Sequence, residues 1–198
     1  ITRSSVGTPF ISQIFNLYIN VAETTTAGVD LEASYRQPID LLGGGDEMVT
    51  IRLFANYLDE VTSALVGERV VNDAGELNYS KWLANASLSY VNGPFSANLQ
   101  TRFIGKSVRD VLWVEGIDIE DNDVDSITYT NMNLAYNFEW ASGNSGQVYF
   151  FVGNLFDKDP PLVPGGIGLT TGTAAHTNNG LFDTLGRTYS AGFRMRFE

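Results

Sequence analysis

Gly186-Arg-Thr-Tyr-Ser-Ala-Gly-Phe-Arg-Met-Arg-Phe197 decides the reading of this chain. Tyr189, Ala191, Phe193, Met195 and Phe197 fall on one side of an extended backbone, and Ser190, Gly192, Arg194 and Arg196 on the other. Side chains on a strand alternate between faces, so this segment is a strand with one greasy face and one charged face. Soluble antiparallel sheets share the pattern. The aromatic end and the repetition of the same alternation upstream set this chain apart.

Seven more segments alternate, over residues 13–22, 26–37, 47–58, 79–91, 94–105, 126–140 and 146–156. In the second, Ala27, Val29, Leu31, Ala33 and Tyr35 oppose Gly28, Asp30, Glu32, Ser34 and Arg36. In the third, Val49, Ile51, Leu53, Ala55 and Tyr57 oppose Thr50, Arg52 and Asn56. Trp82 to Tyr90, Phe95 to Phe103 and Met132 to Trp140 repeat the arrangement, while Val148–Gly153 is greasy on both faces. A helical period fits none of them.

The connectors fall into two kinds. Val91-Asn-Gly-Pro94 and Ala141–Gly146 are short turns, and Gln37–Asp46 is a somewhat longer one. Residues 59–78, 106–125 and 157–186 are long and polar, and Glu23–Thr25 is a short link that breaks the pattern. Loops beyond about 12–15 residues are rare in compact domains unless functional. Short turns on one rim and long loops on the other describe a membrane barrel. Tyr35, Tyr90, Phe95, Trp140 and Phe197 would girdle the short-turn rim, and Tyr57, Trp82 and Phe103 the other. Ten residues of strand rise roughly 33 Å, or about 23 Å at a 45° tilt, which suits the ~25 Å apolar band of such barrels.

Composition permits this and excludes other classes. Of 198 residues, 43% are hydrophobic, 12% aromatic and only 18% charged, and the formal net charge is −11. That charge repels phosphate backbones, so nucleic-acid binding is not expected. The lack of cysteine leaves no disulfide or thiolate metal site. No run reaches the roughly 18 apolar residues of a membrane helix, but barrel strands need no such run, and a mean hydropathy of −0.05 suits them. The opening Ile-Thr-Arg suggests a fragment or a processed product.

Asn154-Leu-Phe-Asp-Lys-Asp159, the long connector, Gly186-Arg-Thr-Tyr189 and the final strand together resemble the C-terminus of TonB-dependent outer-membrane receptors. Ala27-Gly-Val-Asp-Leu-Glu-Ala-Ser-Tyr35 resembles an earlier strand of the same barrels. The resemblance implies an all-β fold: an antiparallel transmembrane β-barrel segment, the last eight or so strands of a twenty-two-stranded barrel. The plug domain and the N-terminal strands would lie outside residues 1–198. It implies a transporter in the Gram-negative outer membrane, not an enzyme, that takes up a ferric siderophore, cobalamin or a carbohydrate. The implied partners are the plug, a TonB-type energy-coupling protein, the barrel-assembly machinery, and lipopolysaccharide with outer-membrane lipid. The family ends its chain in the periplasm, usually on an aromatic. Here Glu198 follows Phe197, a departure from that native ending, and with the plug and most of the barrel strands outside the sequence a C-terminal piece of a longer receptor is expected.

Candidate chemistry is sparse, and no catalytic residue, cofactor or metal is expected. His176 is the only histidine, and no nucleophile elbow accompanies it. The acidic run Ile117–Asp125 lacks the order of an EF-hand and reads as a solvated loop rather than a Ca²⁺ site. Val111–Val114 reads as a strand extension above the bilayer, in preference to a ligand-facing aromatic. The candidate ligand contacts on external loops are Trp113, Asp118, Asp121 and His176. Asp30, Glu32, Arg52, Arg102, Arg194 and Arg196 would face the lumen or the plug. Two rival architectures use the same strands: a self-contained eight-stranded barrel serving as anchor or adhesin, and a soluble carbohydrate-binding β-sandwich.

Overall fold

Every alternating segment from residue 26 onward forms a strand. The computed structural model describes residues 2–3, 11–13, 23–43, 46–64, 69–140, 143–163 and 177–197. The strands there are β1 (Thr2–Arg3), β2 (Ile11–Gln13), β3 (Glu23–Ile39), β4 (Glu47–Ala64), β5 (Val71–Asn72) and β6 (Trp82–Asn92). They continue as β7 (Phe95–Ile104), β8 (Ser107–Val108), β9 (Asp123–Val124), β10 (Ile127–Trp140), β11 (Asn144–Gly153) and β12 (Thr188–Arg196). Of the expected strand 13–22, residues 14–22 lie outside the described residues.

One antiparallel sheet carries the architecture, in the order β12-β11-β10-β7-β6-β4-β3, with β5 added to the far end of β4. Neighbours in the sheet are neighbours in sequence, as in an up-and-down barrel wall. Beyond a bulge at Ala27/Gly28 the register is continuous. Tyr35, Ile51, Leu88, Leu99, Met132, Val152 and Tyr189 form one row across all seven strands. The adjacent row on the opposite face reads Arg36, Thr50, Ser89, Asn98, Asn133, Phe151 and Ser190. A slip of one residue would exchange these two sets, so the alternation fixes the pairing.

The apolar face has no layer over it. Leu31 is 55%, Leu53 36% and Phe193 70% exposed. A sandwich would pack that face against a second sheet, so the sandwich reading fails. The sheet is also open: among the described residues, the free sides of β3 and β12 pair with nothing. That departs from a closed eight-stranded barrel.

Aromatic rings collect at both rims of the apolar face. Phe138 and Trp140 lie 5.6 Å apart between centroids, Trp140 and Phe197 6.0 Å, and Tyr90 and Phe95 6.2 Å, all at the short-turn rim. Tyr57 and Trp82, at 4.8 Å, mark the other. On the polar face Tyr149 lies across its partner Gly192, where any side chain would collide with the ring.

Two expectations need correction. Glu23–Thr25 is no link but the start of β3, and β4 runs on to Ala64 to meet it. The β-branched residues Thr24, Thr25, Thr26, Val61 and Thr62 favour that extension. A bulge at Ala27/Gly28 leaves Asp59 of β4 without a partner in β3, and at Gly28 a Cβ would strike the Tyr57 carbonyl oxygen. Val111–Val114 is a turn, not a strand extension. Asp110 accepts from the Leu112 amide at 2.9 Å and Asp118 from the Val114 amide at 2.9 Å, so side-chain capping wins over the ladder.

Substituting Leu53→Arg places a charge midway along the apolar face and should cost about 2–4 kcal/mol of folding stability in vesicles. Arg52→Leu, on the other face, should leave insertion intact. Urea titrations of both variants in lipid vesicles check the pair.

Candidate ligand-facing site on the polar face

The long connector between β11 and β12 is closed at its base by a bracket built from Asn154, Asp157 and Arg187. Asn154 is 1% exposed and adopts φ 50°, a left-handed conformation that Asn tolerates. Its amide N–H donates to Asn131 Oδ1 at 2.9 Å. Its side chain then spans the next turn: Nδ2 donates to the Lys158 carbonyl at 3.0 Å, and Oδ1 accepts from the Lys158 amide at 2.9 Å. Asp157, also left-handed at φ 53°, accepts from the Arg187 amide at 2.9 Å and lies 3.7 Å from its guanidinium. The motif noted in the sequence is therefore a clasp that brings the two ends of the connector together.

Above the clasp, the loops fold over the polar face. Phe182 and Val163 from this connector pack with Leu77, Ile104, Val124, Ile127 and Tyr129 in the main buried cluster. Ile104, Ile127 and Tyr129 share the face of Arg102, so the cluster caps the polar side of the sheet at the long-loop rim. Two side chains on facing strands pin the cap. Arg102 sits opposite Tyr129 in the β7–β10 ladder, with its guanidinium 5.6 Å from the ring centroid. It donates to the Leu181 carbonyl at 3.0 Å, and Tyr129 Oη accepts from the Asp183 amide at 3.2 Å.

Beneath this cap lies a cleft of about 280 Å³ lined by Asn85, Gln100, Arg102, Tyr129, Asn131 and Asp183. Its chemistry is that of carboxamides, with one cation and one anion. Each carboxamide both donates and accepts, so the cleft can match hydroxyl groups in either sense. At the other rim of the same face a wider hollow of about 730 Å³ includes Asn137, Glu139, Gln147, Arg194 and Arg196.

Of the described residues proposed from sequence, only Arg102 lines the cleft. Trp113 is half-buried, with the Arg109 guanidinium 5.7 Å from its ring centroid. Asp118 and Asp121 are exposed, and each accepts a backbone amide of its own loop at 2.9 Å. His176 lies outside the described residues. Asp30 accepts from Asn56 Nδ2 at 2.6 Å across the β3–β4 ladder, Glu32 faces Phe54, and Arg52 lies between Ser34 and Ser87. Arg194 and Arg196 line the wider hollow.

In the acidic loop, ligand atoms of Glu115, Asp121 and Asp123 come within 4.8 Å of one another. Asp123 is already engaged by Lys106 at 2.6 Å, and this contact raises the lysine's affinity for its proton. Asn85, Gln100, Asn131, Tyr129 and Asp183 escaped the sequence reading. A signal was present: amides recur at inward positions of β6, β7, β10 and β11, at Asn85, Asn98, Gln100, Asn131, Asn133, Asn137 and Gln147.

These features define the wall of a transmembrane β-barrel, apolar outside and polar within. The sequence model described as TonB dependent receptor-like, beta-barrel matches residues 1–155, and the chain belongs to that family. Its members are transporters of the Gram-negative outer membrane rather than enzymes. No curated protein and no solved structure matches the chain. The family match ends at Leu155, so most of the clasp stands on its own geometry.

Asn154→Ala removes two side-chain bonds from a buried position and should cost about 1–3 kcal/mol locally. Asp157→Ala should cost less, about 0.5–1.5 kcal/mol. Limited proteolysis should cut the 157–186 connector faster in both, with Asn154→Ala the more sensitive.

Proposed function

We propose that this chain is the C-terminal wall and external-loop region of a TonB-dependent transporter in a Gram-negative outer membrane. In this reading it supplies the last eight or so strands of a twenty-two-stranded barrel. The open edges β3 and β12 support it, because unpaired backbone groups within hydrocarbon cost several kcal/mol each and call for further strands. A plug domain would sit against the polar face, with Glu139, Arg194 and Arg196 at its rim. A TonB-type protein would act on that plug. The barrel-assembly machinery would read the last strand up to Phe197, and lipopolysaccharide and phospholipid would surround the wall.

The transported ligand is a scarce nutrient: a ferric siderophore, cobalamin or a carbohydrate. We favour a neutral, hydroxyl-rich ligand of the carbohydrate kind. One observation carries this choice: Asn85, Gln100 and Asn131 converge in a cleft whose charged lining, among the described residues, is Arg102 and Asp183. Their opposite charges leave no field to concentrate a polyanionic iron chelate, and the chain's overall charge of −11 opposes one. Carboxamides suit vicinal hydroxyls, which also donate and accept.

Calorimetric titration of the full-length receptor with neutral oligosaccharides and with a ferric catecholate tests the proposal. Oligosaccharide should bind, and an Asn85→Ala/Gln100→Ala double variant should bind it about tenfold more weakly, as expected for two lost hydrogen bonds. Binding of the iron chelate alone would refute the ligand class.

A further inference from the structure

The turn after β3 is fastened from the apolar side of the sheet. Glu47 opens β4 and shares the parity of Val49, Ile51 and Leu53, so its side chain leaves on the apolar face. It is 1% exposed. Its carboxylate accepts from the Leu42 amide at 2.8 Å, the Leu41 amide at 3.1 Å and Tyr90 Oη at 3.0 Å. Asn92 Nδ2 in turn donates to Tyr90 Oη at 3.2 Å. Three donors satisfy the buried carboxylate. The same bonds draw the backbone of Leu41 and Leu42 over the apolar side. These two leucines are 76% and 72% exposed.

A single exposed leucine needs no explanation, but an adjacent pair continuous with an apolar surface does. The surface it continues is the lipid-facing band, whose rim here carries Tyr35 and Tyr90. Exposed Asp40 and Asp46 flank the pair, and their charges belong in water or among headgroups. That combination suits a shallow position at the bilayer interface.

The geometry points to this turn as a foot that dips Leu41 and Leu42 into the membrane interface, with Glu47 as the clasp that aims it. Continuity with that band makes the occupant membrane phospholipid. The inference rests on the apolar face meeting lipid.

The test uses the full-length receptor in phosphatidylethanolamine–phosphatidylglycerol vesicles, with an environment-sensitive fluorophore on Leu41→Cys or, as reference, Leu31→Cys. Both probes should emit in the blue, lose most of their emission to nitroxide-bearing lipid and resist aqueous iodide. Adding Glu47→Ala should move the Leu41 probe to the red and open it to iodide, leaving the Leu31 probe unchanged. Glu47→Gln, which keeps one acceptor oxygen, should fall between. A Leu41 probe quenched by iodide beside a lipid-quenched Leu31 probe overturns the foot alone. A Leu41 probe reached by neither quencher places the turn against protein and also overturns it. Iodide quenching of the Leu31 probe overturns the lipid assignment of the face itself.

Discussion

The structure depends on the two-residue period of a strand being kept in register across seven neighbours. Within hydrocarbon every backbone N–H and C=O must be paired inside the protein, and only a continuous ladder or a helix can do that. The ladder then leaves the side chains to face opposite solvents. Residues from Tyr35 to Tyr189 on one row, and from Arg36 to Ser190 on the next, show this separation held without a break. Any one-residue slip would turn the polar row toward lipid.

That constraint also explains where irregularity is allowed. The clasp of Asn154, Asp157 and Arg187, the capped loop over Arg102 and Tyr129, and the Glu47 turn all lie beyond the regular ladder. The clasp and the Glu47 turn use side-chain carboxylates or carboxamides, and the capped loop uses the Arg102 guanidinium and the Tyr129 hydroxyl, to satisfy backbone groups that no strand partner reaches. The polar face is mostly uncharged where it meets the cleft and richer in charge toward the short-turn rim. One wall thus offers two chemically different surfaces.

Strands were legible because alternation is a local signal that lipid on one side and water on the other enforce. Their boundaries were less so. Thr24–Thr26 and Val61–Thr62 look like turn-flanking residues in isolation and become ladder only through each other. Val111–Val114 looks like strand, yet Asp110 and Asp118 supply nearer partners for its amides. The cleft was hidden for another reason. Asn85, Gln100, Asn131 and Asp183 come from four elements and converge only through register and a folded-back loop. Loop acids, a histidine and Trp113 stand out in the sequence as ligand contacts, whereas half of the cleft lining is strand carboxamide.

The most direct test of the central claim uses the chain's own three tryptophans. Trp82 and Trp140 stand at opposite rims of the apolar face, and Trp113 belongs to a loop beyond it. Single-tryptophan variants in vesicles of brominated phospholipid should show strong quenching of Trp82 and Trp140 and none of Trp113. Unquenched Trp82 and Trp140 would contradict a lipid-facing apolar wall.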